Sequence, residues 1–307
     1  MKVALETKGL IKQYGRRRAL DGLDLRVPAG SLFGLVGHNG AGKTTLLGIA
    51  SGLIKPSGGH IDVLEVGAFS IEKHAGSVSV LPQDAGLPPY ARVGELLQYY
   101  GALQGLGKAE VTQSAQALLE EVNLGDRWDA PVRSLSHGMF RRLTVAQALL
   151  GSPSLILLDE PMSGLDPHEV ANMREVLRRR AGGQTILISS HILHELEHLC
   201  DEVAFVRQGK LERQDRMESV AGHHRVVQIV LDGKAAPELA ELGSLVPGAE
   251  CVWDAKKATL QVDFDPESTQ VTELTAILLP ALLQQGCGIL EVHRGGGLEQ
   301  EYLKQPE

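Results

Sequence analysis

The stretch SLFGLVGHNGAGKTTLLGIASGL (31–53) constrains this chain most. SLFGLVG (31–37) is a short apolar run of the kind that forms a strand buried on both faces. GHNGAGKT (37–44) then fits the spacing G-x-x-x-x-G-K-[ST], and LLGIASGL continues with a helical pattern. Glycines in such a turn let backbone N–H groups point inward around phosphate oxygens. The helix N-terminus beyond adds a favourable dipole. Gly37, His38, Asn39, Gly40, Ala41, Gly42 and Thr45 are therefore candidate phosphate-binding positions. Lys43 is placed to reach β- and γ-phosphates, and Thr44 to set its hydroxyl on Mg²⁺.

Four more apolar runs read as strands: SVSVL (77–81), SLILLD (154–159), QTILIS (184–189) and EVAFV (202–206). Gly-rich turns and helical patterns separate them, which predicts a parallel α/β core. SLILLDEP (154–161) ends in two adjacent carboxylates. Neighbouring side chains at a strand end point to opposite sides, so the two acids can take different jobs. Asp159 can hold the hydration shell of Mg²⁺, and Glu160 can polarise an attacking water. The two motifs together make a P-loop nucleotide triphosphatase that uses Mg²⁺.

The sequence between and after them narrows the class. LSHGMFRR (135–142) begins a helical pattern about twenty residues before the acidic pair and resembles the LSGGQ-type signature of the ATP-binding-cassette (ABC) family. Further matches follow the family's order. Tyr14 in KQYGRRRAL resembles the aromatic that stacks on adenine, and Gln83 in LPQDAGL the glutamine whose amide meets Mg²⁺ and water. SGLDP (163–167), with Asp166, resembles the D-loop, and His191 in ISSHILHE the switch histidine. In the signature, Ser136 and Gly138 carry the ATP-contacting atoms. His137 and Met139 depart from the pattern, standing where the family has glycine and glutamine. The resemblance implies a RecA-like core, an antiparallel β subdomain and an α-helical signature subdomain. It also implies a head-to-tail dimer, homomeric or heteromeric, with each ATP between one P-loop and the other subunit's signature. Glu160, His191 and Gln83 would then be catalytic. Thr44, Gln83 and Asp159 would hold Mg²⁺, Asp159 through water.

HILHELEHLC (191–200) also contains H-E-x-x-H, the two-histidine string of zinc proteases. On a continuous helix Ile192, Leu196, Leu199 and Val203 share one face, and His194 and His198 lie opposite it among acidic residues. No third ligand stands nearby in sequence, so these histidines read as a solvated face. The basic runs Arg16–Arg18 and Arg178–Arg180 read as solvated edges. The aromatics of YYGALQGLG (99–107) lie where the family meets its membrane subunit, and suit either that groove or the core.

KLERQDRMESVAGHH (210–224) reads as a polar join, and the domain plan is a cassette over 1–215, a linker over 216–224 and an accessory domain over 225–307. The last alternates strand and helix as β-α-β-β-α-β with a final helix at 298–304, a ferredoxin-like α+β plan with a regulatory or dimer-bracing role. A net charge of −8 gives no basic footprint for nucleic acid. Three scattered cysteines suit a reducing cytosol. No run approaches the roughly 20 apolar residues of a membrane span. A single cassette and its C-terminal extension resemble the subfamily serving ABC-2-type exporters. That implies an integral membrane permease as partner and a location on the cytoplasmic face of the cell membrane through it. The alternative is a soluble ABC ATPase of DNA repair or translation. Lys43 and Asp159 are too close in sequence for the long coiled coils of repair types. The cargo and the permease's identity cannot be read from this chain.

Overall fold

In the computed structural model, residues 2–197, 199–221, 226–264 and 269–294 are described. The chain divides into two compact units, 1–217 and 218–307. The first unit begins with β1 (Val3–Tyr14), β2 (Arg17–Pro28), β3 (Leu32–Val36), α1 (Lys43–Ala50), β4 (Gly58–Val63), α2 (Ile71–His74) and β5 (Val78–Leu81). A helical stretch follows: α3 (Val93–Leu103), α4 (Lys108–Glu121) and α5 (His137–Leu149). The unit closes with β6 (Leu155–Asp159), α6 (Pro167–Arg178), β7 (Thr185–Ser190), α7 (Leu193–Glu197), β8 (Glu202–Arg207) and β9 (Lys210–Arg216), leading into α8 (Met217–Ala221).

Two sheets organise this unit. β2-β1-β4 is antiparallel, and β5-β6-β7-β3-β8-β9 is parallel except for its last strand. Every residue of β3, β6 and β7 is buried, the reason these strands read as unbroken apolar runs. α1 packs on both β2 and β6. Its Leu46, Leu47 and Ile49 share one core with Leu5, Leu23 and Leu25 of the small sheet and Phe33, Leu155 and Leu187 of the large one. On the other face Leu196 approaches β3: a Cβ on Gly34 would stand 2.9 Å from its Cδ1. The helix carrying the glycine turn is thereby locked between two sheets.

The parallel strands lie where the sequence predicts them, and two local expectations change. Lys210–Arg216, read as part of a polar join, is strand β9. It is polar because it is an edge strand with most side chains toward solvent. The continuous helix expected from Ile192 to Val203 is instead the five-residue α7 followed by a turn. Ile192 precedes it and is exposed, while Val203 is buried in β8. The antiparallel strands β1, β2 and β4 form the β subdomain that the resemblance implies, although their mixed polar content hides the alternation and no apolar run marks them individually. His198 and the helix expected at 298–304 lie outside the described residues, as does the His194 side chain.

The second unit contains β10 (Val226–Leu231), α9 (Leu239–Leu245), β11 (Glu250–Asp254), β12 (Thr259–Asp263), α10 (Val271–Gln284) and β13 (Ile289–Arg294). Its strands pair antiparallel in the order β11-β12-β10-β13, the ferredoxin-like arrangement. Ile229, Leu260, Leu242, Leu274 and Leu278 form its own core.

Candidate functional site

The turn between β3 and α1 is held by constraints only glycine meets. Gly42 has φ +111°, and a Cβ there would lie 2.6 Å from the Ala19 carbonyl. A Cβ on Gly37 would lie 2.3 Å from the Val206 carbonyl. The turn therefore packs against β2 and β8 while the first N–H groups of α1, which have no intrahelical acceptor, stay available. A cleft of about 570 Å³ opens there, lined by Tyr14, Arg17, Asn39, Gly40, Lys43, Thr44, Thr45, Gln83 and Glu160 among others. Gly37, His38 and Ala41 belong to the turn but do not line the cleft.

Lys43 is 6 % exposed. Its Nζ donates to the Gly37 carbonyl at 2.6 Å and the His38 carbonyl at 3.3 Å, and lies 3.8 Å from Glu160 Oε1. Burial pulls its pKa below the usual lysine value, and the charges of Glu160 and Asp159 oppose that shift. The two neighbouring carboxylates offset part of the cost of burying this cation.

The acidic pair ends β6, and its two members have separate partners. Asp159 Oδ1 accepts from the Ser189 hydroxyl, while its Oδ2 is buried with no hydrogen-bond partner among the described residues. Glu160 has φ +48°, a left-handed backbone that costs a non-glycine residue about 1–3 kcal/mol. Its N–H donates to the Ser189 carbonyl at 3.2 Å and approaches the Ser189 Oγ at 3.0 Å. His191 Nδ1 stands 3.1 Å from Glu160 Oε1. A carboxylate only accepts, so that ring nitrogen carries the hydrogen and Nε2 is left to face another group. Backbone oxygens of Asp159, Glu160 and Gln83 all receive the guanidinium of Arg141, from α5.

A second cluster gathers elsewhere in the same unit. Ser136 caps α5 and accepts from the Met139 N–H at 3.2 Å, leaving its own hydroxyl hydrogen to donate. Asp166 caps α6 and accepts from the Glu169 N–H at 2.9 Å. His137 lies over the D-loop: a Cβ on Gly164 would stand 2.5 Å from its Nε2. Gly138 closely approaches Glu169, whose carboxylate pairs with Arg142 at 3.0 Å. None of Ser136, Gly138 and Asp166 lines the cleft.

Arg17, Ser189 and Arg141 are additions that the sequence did not single out for this site. Arg17 stood in a basic run read as a solvated edge. It lines the cleft, its Nη2 would stand 2.9 Å from a Cβ on Gly40, and its guanidinium has no ion pair among the described residues. The signal for it was its spacing of three from Tyr14, the residue that resembles the adenine-stacking aromatic. Among the described residues no three His, Cys, Asp or Glu side chains group to hold a metal by themselves.

A glycine turn at a helix N-terminus, facing a paired acidic strand end across a parallel sheet, makes this a P-loop nucleotide-binding protein. Residues 20–163 match the ABC transporter family model. The chain is 36% identical over 306 residues to the Nod factor export ATP-binding protein I of Ralstonia nicotianae, covering 98% of this chain and 92% of that protein. It is 35% identical over 252 residues to a daunorubicin resistance ATP-binding protein of Streptomyces coeruleorubidus, covering 80% and 78% of the two chains. Among solved structures, the ATP-binding subunit of an ABC transporter superposes with a TM-score of 0.64 at 26% identity, over 71% of this chain and 91% of that one. The chain belongs to the ABC transporter family.

Two substitutions check this geometry. Ser189→Ala strands a second oxygen of buried Asp159 and lowers stability by about 1–3 kcal/mol, read from urea unfolding. His137→Gly restores the family's residue beside Gly164 and leaves steady-state ATPase activity within about tenfold of the wild type.

Proposed function

We propose that this chain is the ATP-binding and ATP-hydrolysing subunit of a membrane exporter, working as half of an ATP-closed dimer. The observation that carries the reading is the separation of two clusters in one unit. The cleft has the P-loop, Lys43 and Glu160 but no signature residue among its lining. Ser136, Gly138 and Asp166 supply hydrogen-bonding groups away from it, as required if they serve a nucleotide held by a second cassette. That cassette is a copy of this chain or a homologous one.

Within one site, Tyr14 takes the base, and the P-loop amides with Lys43 and Arg17 take the phosphates. Lys43 exchanges its carbonyl partners at Gly37 and His38 for phosphate oxygens. Glu160 accepts a proton from the attacking water, and His191 orients that carboxylate through Nδ1. The Gln83 side chain lines the same cleft and can meet that water. Thr44 and Gln83 would hold Mg²⁺, with Asp159 acting through water. The buried, unpartnered Oδ2 of Asp159 suits such an oxygen-loving cation. When bound, the ion neutralises charge on the β- and γ-phosphate oxygens.

Export is what the relative from Ralstonia, a Nod factor export ATP-binding protein, supports. Among the described residues no helix is long and apolar enough to cross a membrane, and the exporter reading assigns the path for cargo to a permease partner. Tyr90, Tyr99 and Leu103 are 77%, 61% and 65% exposed after the Gln83 loop and suit an apolar docking element of that partner. The second unit, with Val252 and Leu290 exposed on its outer strands, suits a dimer brace.

Light scattering tests the closed dimer: Glu160→Gln with excess ATP and Mg²⁺ accumulates as dimer, and monomer alone overturns the mechanism. His191→Ala slows hydrolysis by about tenfold or more while ATP affinity changes little, and equal ATPase rates refute its assignment. Arg17→Ala weakens ADP and ATP by about tenfold in competition with a fluorescent ADP analogue and leaves adenosine binding unchanged.

A further inference from the structure

Arg141 lies in the second turn of α5, the helix that Ser136 caps, and is 7 % exposed. Its Nη2 donates to the Asp159 carbonyl at 2.9 Å and the Glu160 carbonyl at 2.5 Å. Its Nη1 donates to the Gln83 carbonyl at 3.3 Å. One planar group thus ties three main-chain oxygens on two separate segments to the signature helix. Burial lowers its pKa, against the opposing pull of Asp159, Glu160 and Asp84, so the charge is held there by its surroundings.

The adjacent Arg142 shows what an ordinary anchor on this helix looks like. It is equally buried, but it donates to the Val122 and Asn123 carbonyls and pairs with Glu169, all within the helical stretch and α6. Arg141 alone of the two reaches the end of β6 and the Gln83 loop. It meets Glu160 at the residue whose backbone is left-handed, where the peptide carbonyl needs an external donor to hold its direction. The Glu160 N–H is fixed from the other side by Ser189. Glu160 is therefore clamped at both its amide and its carbonyl, from β7 and from α5.

We propose that Arg141 is a positioning residue for hydrolysis that couples the signature helix to Glu160 and to the Gln83 loop. A displacement of α5, as when Ser136 engages a facing nucleotide, turns the Glu160 carbonyl and shifts Gln83 in the same chain. Catalysis at one P-loop then depends on the engagement of that chain's own signature with the opposite nucleotide. This coupling rests on the dimer reading above, but the clamp on Glu160 does not. A lysine has one donating point and cannot span the same three oxygens in a plane.

The test uses Arg141→Lys, Arg141→Gln and Arg141→Ala in the full chain, with ADP affinity, kcat, the Hill coefficient for ATP and the melting temperature read together. The expected result is ADP affinity within about twofold of wild type in all three. With it, kcat falls by about tenfold or more in Gln and Ala, with Lys intermediate. The Hill coefficient falls toward one, and added guanidinium ion restores part of the kcat of Arg141→Ala without raising that of the wild type. Unchanged kcat in Arg141→Gln overturns the proposal. So does loss of ADP affinity in parallel with kcat and melting temperature, since that is the mark of a folding anchor. Glu160→Gln separates the two readings. If it abolishes wild-type hydrolysis while Arg141→Gln does not slow it, the ATPase assignment stands and only the positioning role fails.

Discussion

Two carboxylates at the buried end of β6 set the terms for the rest of the first unit. Burying charge is costly unless each oxygen and each charge finds a partner. Asp159 takes the Ser189 hydroxyl, and Glu160 takes Lys43 and His191. Arg141 brings a buried guanidinium to the main chain beneath them. The partners come from the P-loop, β7, the segment after β7 and the signature helix, so most of the unit's motifs are fastened to this one point. The left-handed backbone at Glu160 is tolerable only because bonds on both its sides over-determine it.

Sheet order supplies the spacing. β6 and β3 are not neighbours: β7 runs between them. Two inter-strand steps separate the acidic strand end from the glycine turn by about 10 Å, room for phosphate groups between them. The intervening strand is not idle, since its last residues Ser189 and Ser190 reach Asp159, the Glu160 amide and the Gly37 amide. The cleft therefore forms outside the carboxyl ends of parallel strands, where such sheets place ligands. The α1 helix points its free amides into it because two sheets clamp its apolar sides.

Motif-bearing segments were legible because their information is local. The glycine spacing at 37–42, the apolar run before Asp159 and the serine before α5 each encode a turn, a buried strand or a cap within a few residues. What was misread depended on strand pairing and packing, which residue type alone does not record. Lys210–Arg216 is a strand only because β8 offers it an edge. Ile192 and Val203 fall on different elements because α7 stops after five residues, where the chain must turn back into β8. Arg17 resembled a solvated edge until the β1–β2 turn brought it over Gly40.

The amino-acid sequence by itself determined the class of chemistry: a glycine turn with phosphate-binding spacing, an acidic strand end, and segments resembling the family's signature and switch histidine in order, followed by a separate α+β unit. Those depend on residue type and short spacing, which the chain carries without folding. Only the tertiary structure decided which side chains serve together. It joined Ser189 to Asp159, His191 to Glu160 and Arg141 to Gln83, and set the signature and D-loop apart from the cleft. Partners separated by tens of residues are chosen by sheet order and helix packing, and no local pattern records them.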